Sequence, residues 1–484
     1  MPRAERRAGW ISGACLIALA ASQPVRADSL REALALAYRT NPTLEAARAQ
    51  QRATDEGVPL ARAAGLPNAS VDGTYTEFLV QPANAFTAPE RAFSAGANLG
   101  VPIYSGGAVK NRIKAAKNRV AAGQEDLRGT ESAIFSQVVA AYMDVIQNEA
   151  LVGLNRNNVN VLSVNLQATR DRFEIGDLTR TDVAQSQSRL ALAEGDTRTA
   201  EANLAAARET YIRLVGKAPV ALEAPPPLPN LPASPETAVA VALETNPDIA
   251  ASKKQVDAAQ NDIDVAGAGR LPTVSLYSQG SYNNYFNTLG GAQSDLIQQT
   301  DRSLQAGARV TVPLFQGGLP AAQRRQAQAQ ASSALENQIA VERDVIAQTR
   351  SAYTSWQAAN ELIRLQQIAV DAAQLSLEGV RAENSVGNRT ILDILNAEQE
   401  LVTARSRLVT ARRNAYVAGF TLLAAMGVAG AEDLNLDGGA LYDPNTNYRR
   451  VRGKWFDWDT DPAPKAVSTR TVDTPAQDGD IPQQ

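Results

Sequence analysis

The chain of 484 residues contains no histidine and a single cysteine, Cys15. Without histidine it lacks the commonest general base and a leading metal ligand, and one cysteine cannot build a disulfide framework. No catalytic, cofactor-binding or metal site is expected on these grounds. Long hydrophobic runs are missing too: beyond the amino-terminal segment no uncharged apolar stretch reaches the ~18 residues of a membrane-crossing helix, so any crossing would fall to strands.

The amino-terminal segment has the composition of a secretory signal. Arg3, Arg6 and Arg7 form a basic start, Ile11 to Ala21 a short apolar core, and Val25-Arg26-Ala27 a small-residue cleavage site. A signal peptide over residues 1–27 is therefore expected, with the mature chain starting at Asp28. Cys15 falls inside that segment, and Ser12-Gly13-Ala14 before it is a poor match to a lipidation motif. Removing the segment's four Arg and one Glu from the 47 basic and 51 acidic residues leaves 43 and 50, which argues against a nucleic-acid partner.

What the chain does have is a plan written twice. Asn41-Pro42 and Leu66-Pro67 return as Asn246-Pro247 and Leu271-Pro272; Val101-Pro102-Ile103-Tyr104-Ser105-Gly106-Gly107 returns as Val312-Pro313-Leu314-Phe315-Gln316-Gly317-Gly318. Gly176, Thr179 and Asp182 return as Gly387, Thr390 and Asp393. A period this long is no short solenoid repeat, so each half is a multi-element unit. The halves are expected at 28–217 and 236–428, joined by a stiff Pro-rich linker at 218–235 that contains Pro225-Pro226-Pro227. A carboxyl-terminal extension fills 429–484. From about Asp459 its Pro, Asp, Thr and Gln content predicts disorder, and the placement of Trp455-Phe456-Asp457-Trp458 stays open between the helical body and a partner.

Heptads define the helices. Ile394, Leu401, Leu408, Ala415 and Leu422 recur every seventh residue, with Ala397, Ala404, Ala411, Ala418 and Ala425 three later. The first half carries Val183, Leu190, Leu204 and Tyr211 with Ala193, Ala200 and Ala207. Alanine at one seam position predicts closely packed antiparallel helices. From Gly318 to Arg381 the chain reads as one helix, its seam running through Ile339, Ile346, Tyr353, Trp356, Ile363, Val370 and Leu377; a partner is expected from Gly107 to Phe173. At ~1.5 Å per residue such helices are about 95 Å long. Single helices are predicted over Ser29 to Ala64 and Pro235 to Gly267, with Ser29 and Ser234 as caps.

Four segments alternate instead: Asn68 to Glu77, Phe93 to Tyr104, Thr273 to Tyr282 and Ser303 to Phe315. Ten or so residues of alternating polarity fit tilted outer-membrane strands, and equally fit ordinary soluble hairpins. Four strands cannot close a membrane barrel, so on the first reading several copies must share one. Pro102 and Pro313 are expected to end strand pairing, and Gly106, Gly107, Gly317 and Gly318 to turn the chain from strand to helix.

Taken with Ser385-Val386-Gly387-Asn388-Arg389-Thr390-Ile391-Leu392-Asp393-Ile394-Leu395-Asn396-Ala397 and the paired Val-Pro-[Ile/Leu]-[Tyr/Phe]-x-Gly-Gly motif, this order resembles the TolC family of outer-membrane efflux and secretion channels. The resemblance spans about Ser29 to Gly427. It implies a mixed fold, a membrane β-barrel continued by a long α-helical coiled-coil barrel, in which a homotrimer supplies 12 strands and 12 helices. It implies a passive exit duct of a tripartite efflux pump or type I secretion system, with a periplasmic adaptor, an inner-membrane RND or ABC transporter and outer-membrane lipid as partners. Carried over by motif, Asp182, Arg389 and Asp393 would hold the periplasmic end closed, three Asp393 carboxylates would converge and repel, raising their pKa, and a cation-selective pore would follow. Asn396 stands where a second acid is often found, and Asn384 where a tyrosine can join the latch. The tips Gly176, Leu178, Thr179, Gly387 and Thr390 would mesh with the adaptor. The competing readings are a solute-uptake porin and a soluble periplasmic coiled-coil scaffold.

Overall fold

The computed structural model describes residues 28–80, 88–436 and 441–481. The expected signal segment, with Cys15, lies outside them. Fourteen principal elements follow in order: α1 (Leu30–Thr40), α2 (Pro42–Asp55), α3 (Gly57–Ala63), β1 (Asn68–Glu77), β2 (Arg91–Ser105), α4 (Ala108–Glu174), α5 (Arg180–Val215), α6 (Pro235–Thr245), α7 (Pro247–Gly267), β3 (Thr273–Asn284), β4 (Thr300–Thr311), α8 (Leu319–Ser385), α9 (Ile391–Met426) and α10 (Pro444–Val451). Helices α4 and α8 have 67 residues each, hence a length of about 100 Å. None of the described helices is both long and apolar enough to cross a membrane.

The opening helix of each half is divided where one continuous helix is predicted. Asn41 and Asn246 adopt extended backbone, and the side chain of each accepts from two amides of the helix that follows, with Pro42 and Pro247 in its first turn. An Asn-Pro pair thus ends one helix and caps the next, since the residue before proline disfavours helical geometry. The Asn41 and Asn246 amides also donate to the carbonyls of Leu214 and Ala425, tying each break to the end of α5 or α9. Ser29 and Ser234 cap α1 and α6 as predicted.

Packing follows the heptads. On α9, Ile394, Ala397, Leu401, Ala404 and Leu408 are buried against Val370, Ala373 and Leu377 of α8. The largest core lies around α4, where Phe135, Val138, Val139 and Tyr142 meet Leu34 and Ala37 of α1, Leu204 and Tyr211 of α5, and Phe420 and Leu423 of α9. Helix α4 packs on α5, α7 and α9, while α8 packs on α6, α7 and α9. The linker is held by three hydroxyls: Tyr142, Tyr416 and Tyr353 donate to the carbonyls of Glu223, Pro226 and Ala233 at 2.7, 3.1 and 2.9 Å.

The carboxyl-terminal extension departs from the predicted disorder. Residues 459–481 lack regular secondary structure, yet their end is fastened to α4 and α5. Arg208 donates to the carbonyls of Asp478 and Asp480, both at 3.0 Å; Arg156 pairs with Asp480 at 2.8 Å; Ile481 reaches the main core. Polar composition signals a lack of autonomous folding, and here an existing helix surface supplies the partners.

Candidate functional site: a two-faced sheet and two hairpin tips

The four strands form one antiparallel sheet in sequence order. The register places Val71 opposite Ala97, Ala97 opposite Gly280, and Gly280 opposite Leu304. Side chains alternate between faces along a strand, so Ala69, Val71, Tyr75, Phe93, Leu99, Val101, Leu276, Leu304, Ala306, Ala308 and Val310 share one face. The other carries Ser70, Asp72, Asn98, Gln279, Ser281, Ser303, Gln305 and Arg309. This second face is laced by cross-strand bonds: Asn98 to Asp72 at 3.2 Å, Gln305 to Gln279 at 3.1 Å, and Ser281 with Ser303 at 2.8 Å. Among the described residues no helix covers the apolar face, where Val71 is 83% and Leu304 81% exposed. A large uncovered apolar surface on a regular sheet marks contact with something other than water.

The junctions from strand to helix rest on glycine. Gly106 and Gly107 have φ of +61° and +85°, and Gly317 and Gly318 +61° and +84°, in the left-handed region that lets α4 and α8 start at once. Pro102 does not end its strand as expected. Pairing with β3 shifts register between Pro102 and Tyr104 and runs on to Ser105, so the residue without an amide proton is accommodated by a bulge. Pro313 lies two residues beyond the end of β4.

The opposite ends of the long helices close in two tight turns, each with a left-handed glycine, Gly176 or Gly387. Thr179 and Asp182 form a reciprocal cap at the start of α5. Oδ2 of Asp182 accepts from the Thr179 amide at 2.9 Å and its hydroxyl at 2.7 Å, and the Asp182 amide donates back at 3.3 Å. Thr390 and Asp393 repeat this at α9 with distances of 2.9, 2.8 and 3.3 Å. Such caps satisfy orphan amides and place a negative charge at the helix amino terminus. Leu178 is half-buried in the first turn; Gly387 and Thr390 are exposed in the second.

Within the chain the expected latch is not assembled. Arg389 pairs with Glu383 of its own hairpin at 2.6 Å, and Arg172 with Asp177 at 2.7 Å does the corresponding work at the first tip. Asn384 donates to the Arg389 carbonyl at 2.7 Å, closing the same turn. The chain's own surroundings move Asp393 opposite to the expected direction: hydrogen bonds from the Thr390 amide and hydroxyl, with the nearby Arg389 charge, hold its carboxyl below the usual carboxylate range. Asp182 is lowered likewise by the Thr179 hydroxyl and amide.

Asn396 accepts from Arg189 at 2.8 Å, a bond that ties α9 to α5. Nearby is a cluster that sequence reasoning missed. Glu398, only 4% exposed, accepts from Asn165 of α4 at 2.9 and 3.0 Å and from Arg381 of α8 at 2.9 Å, joining three helices above the tips. Its signal was an acid directly after the seam residue Ala397, where burial demands a partner.

A profile of the outer membrane efflux protein family matches residues 33–217 and 238–428. The chain belongs to this family. The outer membrane efflux protein BepC of Brucella suis is 33% identical over 438 residues, 90% of this chain and 92% of that one. The outer membrane protein TolC of Vibrio cholerae is 25% identical, covering 85% and 94%. The outer membrane channel CmeC of Campylobacter jejuni has the same fold, with a TM-score of 0.72 at 16% identity over 88% of this chain and 89% of that one. This outer membrane efflux protein is therefore a transport component that sits in the outer membrane and reaches into the periplasm.

Proposed function

We propose that three copies close head to tail into a 12-stranded barrel and a 12-helix tunnel, forming the passive exit duct of an efflux or type I secretion system. The observation that carries this reading is the sheet with an uncovered apolar face and, among the described residues, free outer edges on β1 and β4. An open edge leaves backbone donors and acceptors unpaired, which hydrocarbon does not tolerate. Pairing β4 of one copy with β1 of the next removes every edge at once. Helix α8, which follows β4, also keeps Ile339, Leu362, Leu365 and Ile368 exposed, a surface that a neighbouring copy would cover.

The tips form the closed end of the duct. Asp182, Asp393 and Asn396 stand where the helices begin, and the charge fixed by the two caps faces the mouth as an acidic constriction. Gly176, Leu178, Thr179, Gly387 and Thr390 form the surface offered to a periplasmic adaptor, which links the duct to an RND or ABC transporter of the inner membrane. Opening is a relaxation of the tip helices on partner binding, with no chemistry in this chain. Single-channel recording in a planar bilayer tests the reading. Small, cation-selective conductance that loses selectivity in Asp393→Ala supports the acidic mouth; selectivity unchanged in that variant removes it. Failure of the folded protein to insert would return the sheet to a soluble scaffold, and a wide unselective pore would leave a porin.

A further inference from the structure

Three aromatic side chains crowd one loop tip. Trp455, Phe456 and Trp458 are 74%, 61% and 84% exposed, while Asp457 between them is exposed as well. The loop is pinned rather than trailing. Arg450 grips Asp461 with two bonds of 2.6 and 2.7 Å, Lys454 pairs with Asp459 at 2.9 Å, and the amide of Asp459 donates to the Phe456 carbonyl at 3.1 Å. Its root is buried: Val451 is fully covered, and Asn447 donates to the buried Asp55 of α2 at 2.8 Å. An anchored loop that presents large aromatic groups to solvent places them for a surface outside this chain.

Its position follows from a chain of contacts. Arg62 of α3 donates to the carbonyl of Arg452 at 3.5 Å, three residues before Trp455. The carbonyl of Arg62 accepts from Gly65, and Gly65 lies against Val109, just past Gly107 where strand gives way to α4. The loop therefore starts at the level of the strand-to-helix junction. Beyond Asp461 the chain turns the other way: Thr469 meets Gly216, Gln477 donates to Glu209, and Asp480 pairs with Arg156. From the end of α5 down α5 and α4 these partners step away from the sheet, so the aromatic loop is the end of the extension nearest the membrane.

We propose that Trp455, Phe456 and Trp458 insert into the headgroup boundary of the phospholipid leaflet that faces the periplasm, forming a peripheral anchor outside the barrel. The inference rests on the reading of the sheet as membrane-embedded. Tryptophan favours this depth because its ring is apolar and its N–H still finds water or phosphate. The loop continues the membrane contact of the sheet's apolar face on the helical side of the junction.

The test uses the native tryptophans of the full chain. Of the four tryptophans, Trp10 lies in the expected signal segment, and Trp356→Phe leaves Trp455 and Trp458 as reporters. The trimer is reconstituted in phosphatidylcholine vesicles brominated near the headgroup. The expected result is blue-shifted emission that loses most of its intensity in brominated vesicles and resists aqueous iodide. Full intensity in brominated lipid overturns the proposal, whether iodide quenches the loop, which places it in water, or fails to, which places it against protein. Val71→Trp in a chain with Trp356, Trp455 and Trp458 all changed to Phe separates the underlying reading. Quenching of that reporter by lipid brominated near the chain ends, with the loop unquenched, removes only the anchor; no quenching of it removes the membrane sheet and the anchor together.

Discussion

The two halves of the chain carry equivalent long helices, and they use them differently. On α4 the central turns are enclosed, with Phe135, Val138, Val139, Tyr142 and Val145 all fully buried. On α8 a stripe of Leu335, Ile339, Leu362, Leu365, Ile368 and Leu375 remains exposed. Stepping back by the distance between Gly387 and Gly176, Ile339 and Ile368 correspond to Arg128 and Asn157 on α4. The central turns of α4 are thus covered within the chain, while α8 keeps Ile339 and Ile368 exposed where α4 has polar side chains. The seam of α8 is filled by its own chain at Val370 and Leu377, so the exposed apolar side chains call for a further surface, and in the proposed ring that surface is the neighbouring copy.

The strongest way to break this contrast is to charge the stripe. Ile339→Asp combined with Ile368→Asp is expected to abolish the trimer and export while leaving the monomer folded. A buried apolar side chain is worth about 1.5–3 kcal/mol, and a buried unpaired carboxylate costs more. Light scattering in detergent reads the mass. The twin substitutions Arg128→Asp and Asn157→Asp on α4 should leave the trimer intact; equal loss from both pairs would erase the distinction between the halves.

The linker sharpens the contrast further. Tyr142 and Tyr353 occupy equivalent places and each fastens one part of the linker, but Tyr142 is completely enclosed and its hydroxyl also lies 2.9 Å from the Asp28 carbonyl. Burial raises the Tyr142 phenol far above its ordinary range, so it stays a donor at every physiological pH. Tyr142→Phe is expected to cost about 1–3 kcal/mol, because it removes the donor to two part-buried carbonyls. Tyr353→Phe should cost less. Thermal unfolding of the two variants, followed by circular dichroism, checks the order.

Much of this organisation is legible in the sequence because periodic patterns are local. The seam of α9, the length of α8 and the ten residues of β1 follow from spacing alone. Three things were not. The breaks at Asn41 and Asn246 require knowing that each asparagine amide reaches a helix end far along the chain. The bulge at Pro102 depends on the register of the opposite strand. The ordered tail depends on Arg156 and Arg208, side chains that look like ordinary surface charges until another segment lies across them. The Glu398 cluster belongs with these, since its three members come from three helices. At the tips, the repeated glycine, threonine and aspartate marked the two turns, but the Thr179–Asp182 and Thr390–Asp393 caps were not foreseen, and the latch partners named by resemblance do not meet within one chain.

The tips are where the halves agree most closely, so the finest comparison lies there. Thr179→Ala and Thr390→Ala should each cost about 1 kcal/mol by loss of a cap, read as faster hydrogen exchange in the first turns of α5 and α9. Acid should act in the same sense. Because capping holds Asp182 and Asp393 below the ordinary carboxylate value, the folded tips bind fewer protons than unfolded ones. Their stabilisation is complete above a pKa of about 4 and is lost as pH falls through the depressed value. Arg389 adds to the lowering of Asp393 alone. Arg389→Ala should therefore move acid fraying of the second tip to higher pH and leave the first tip unchanged. A shift at both tips would mean that the two caps are coupled across the mouth, and no shift at either would mean that the threonine bonds alone hold Asp393.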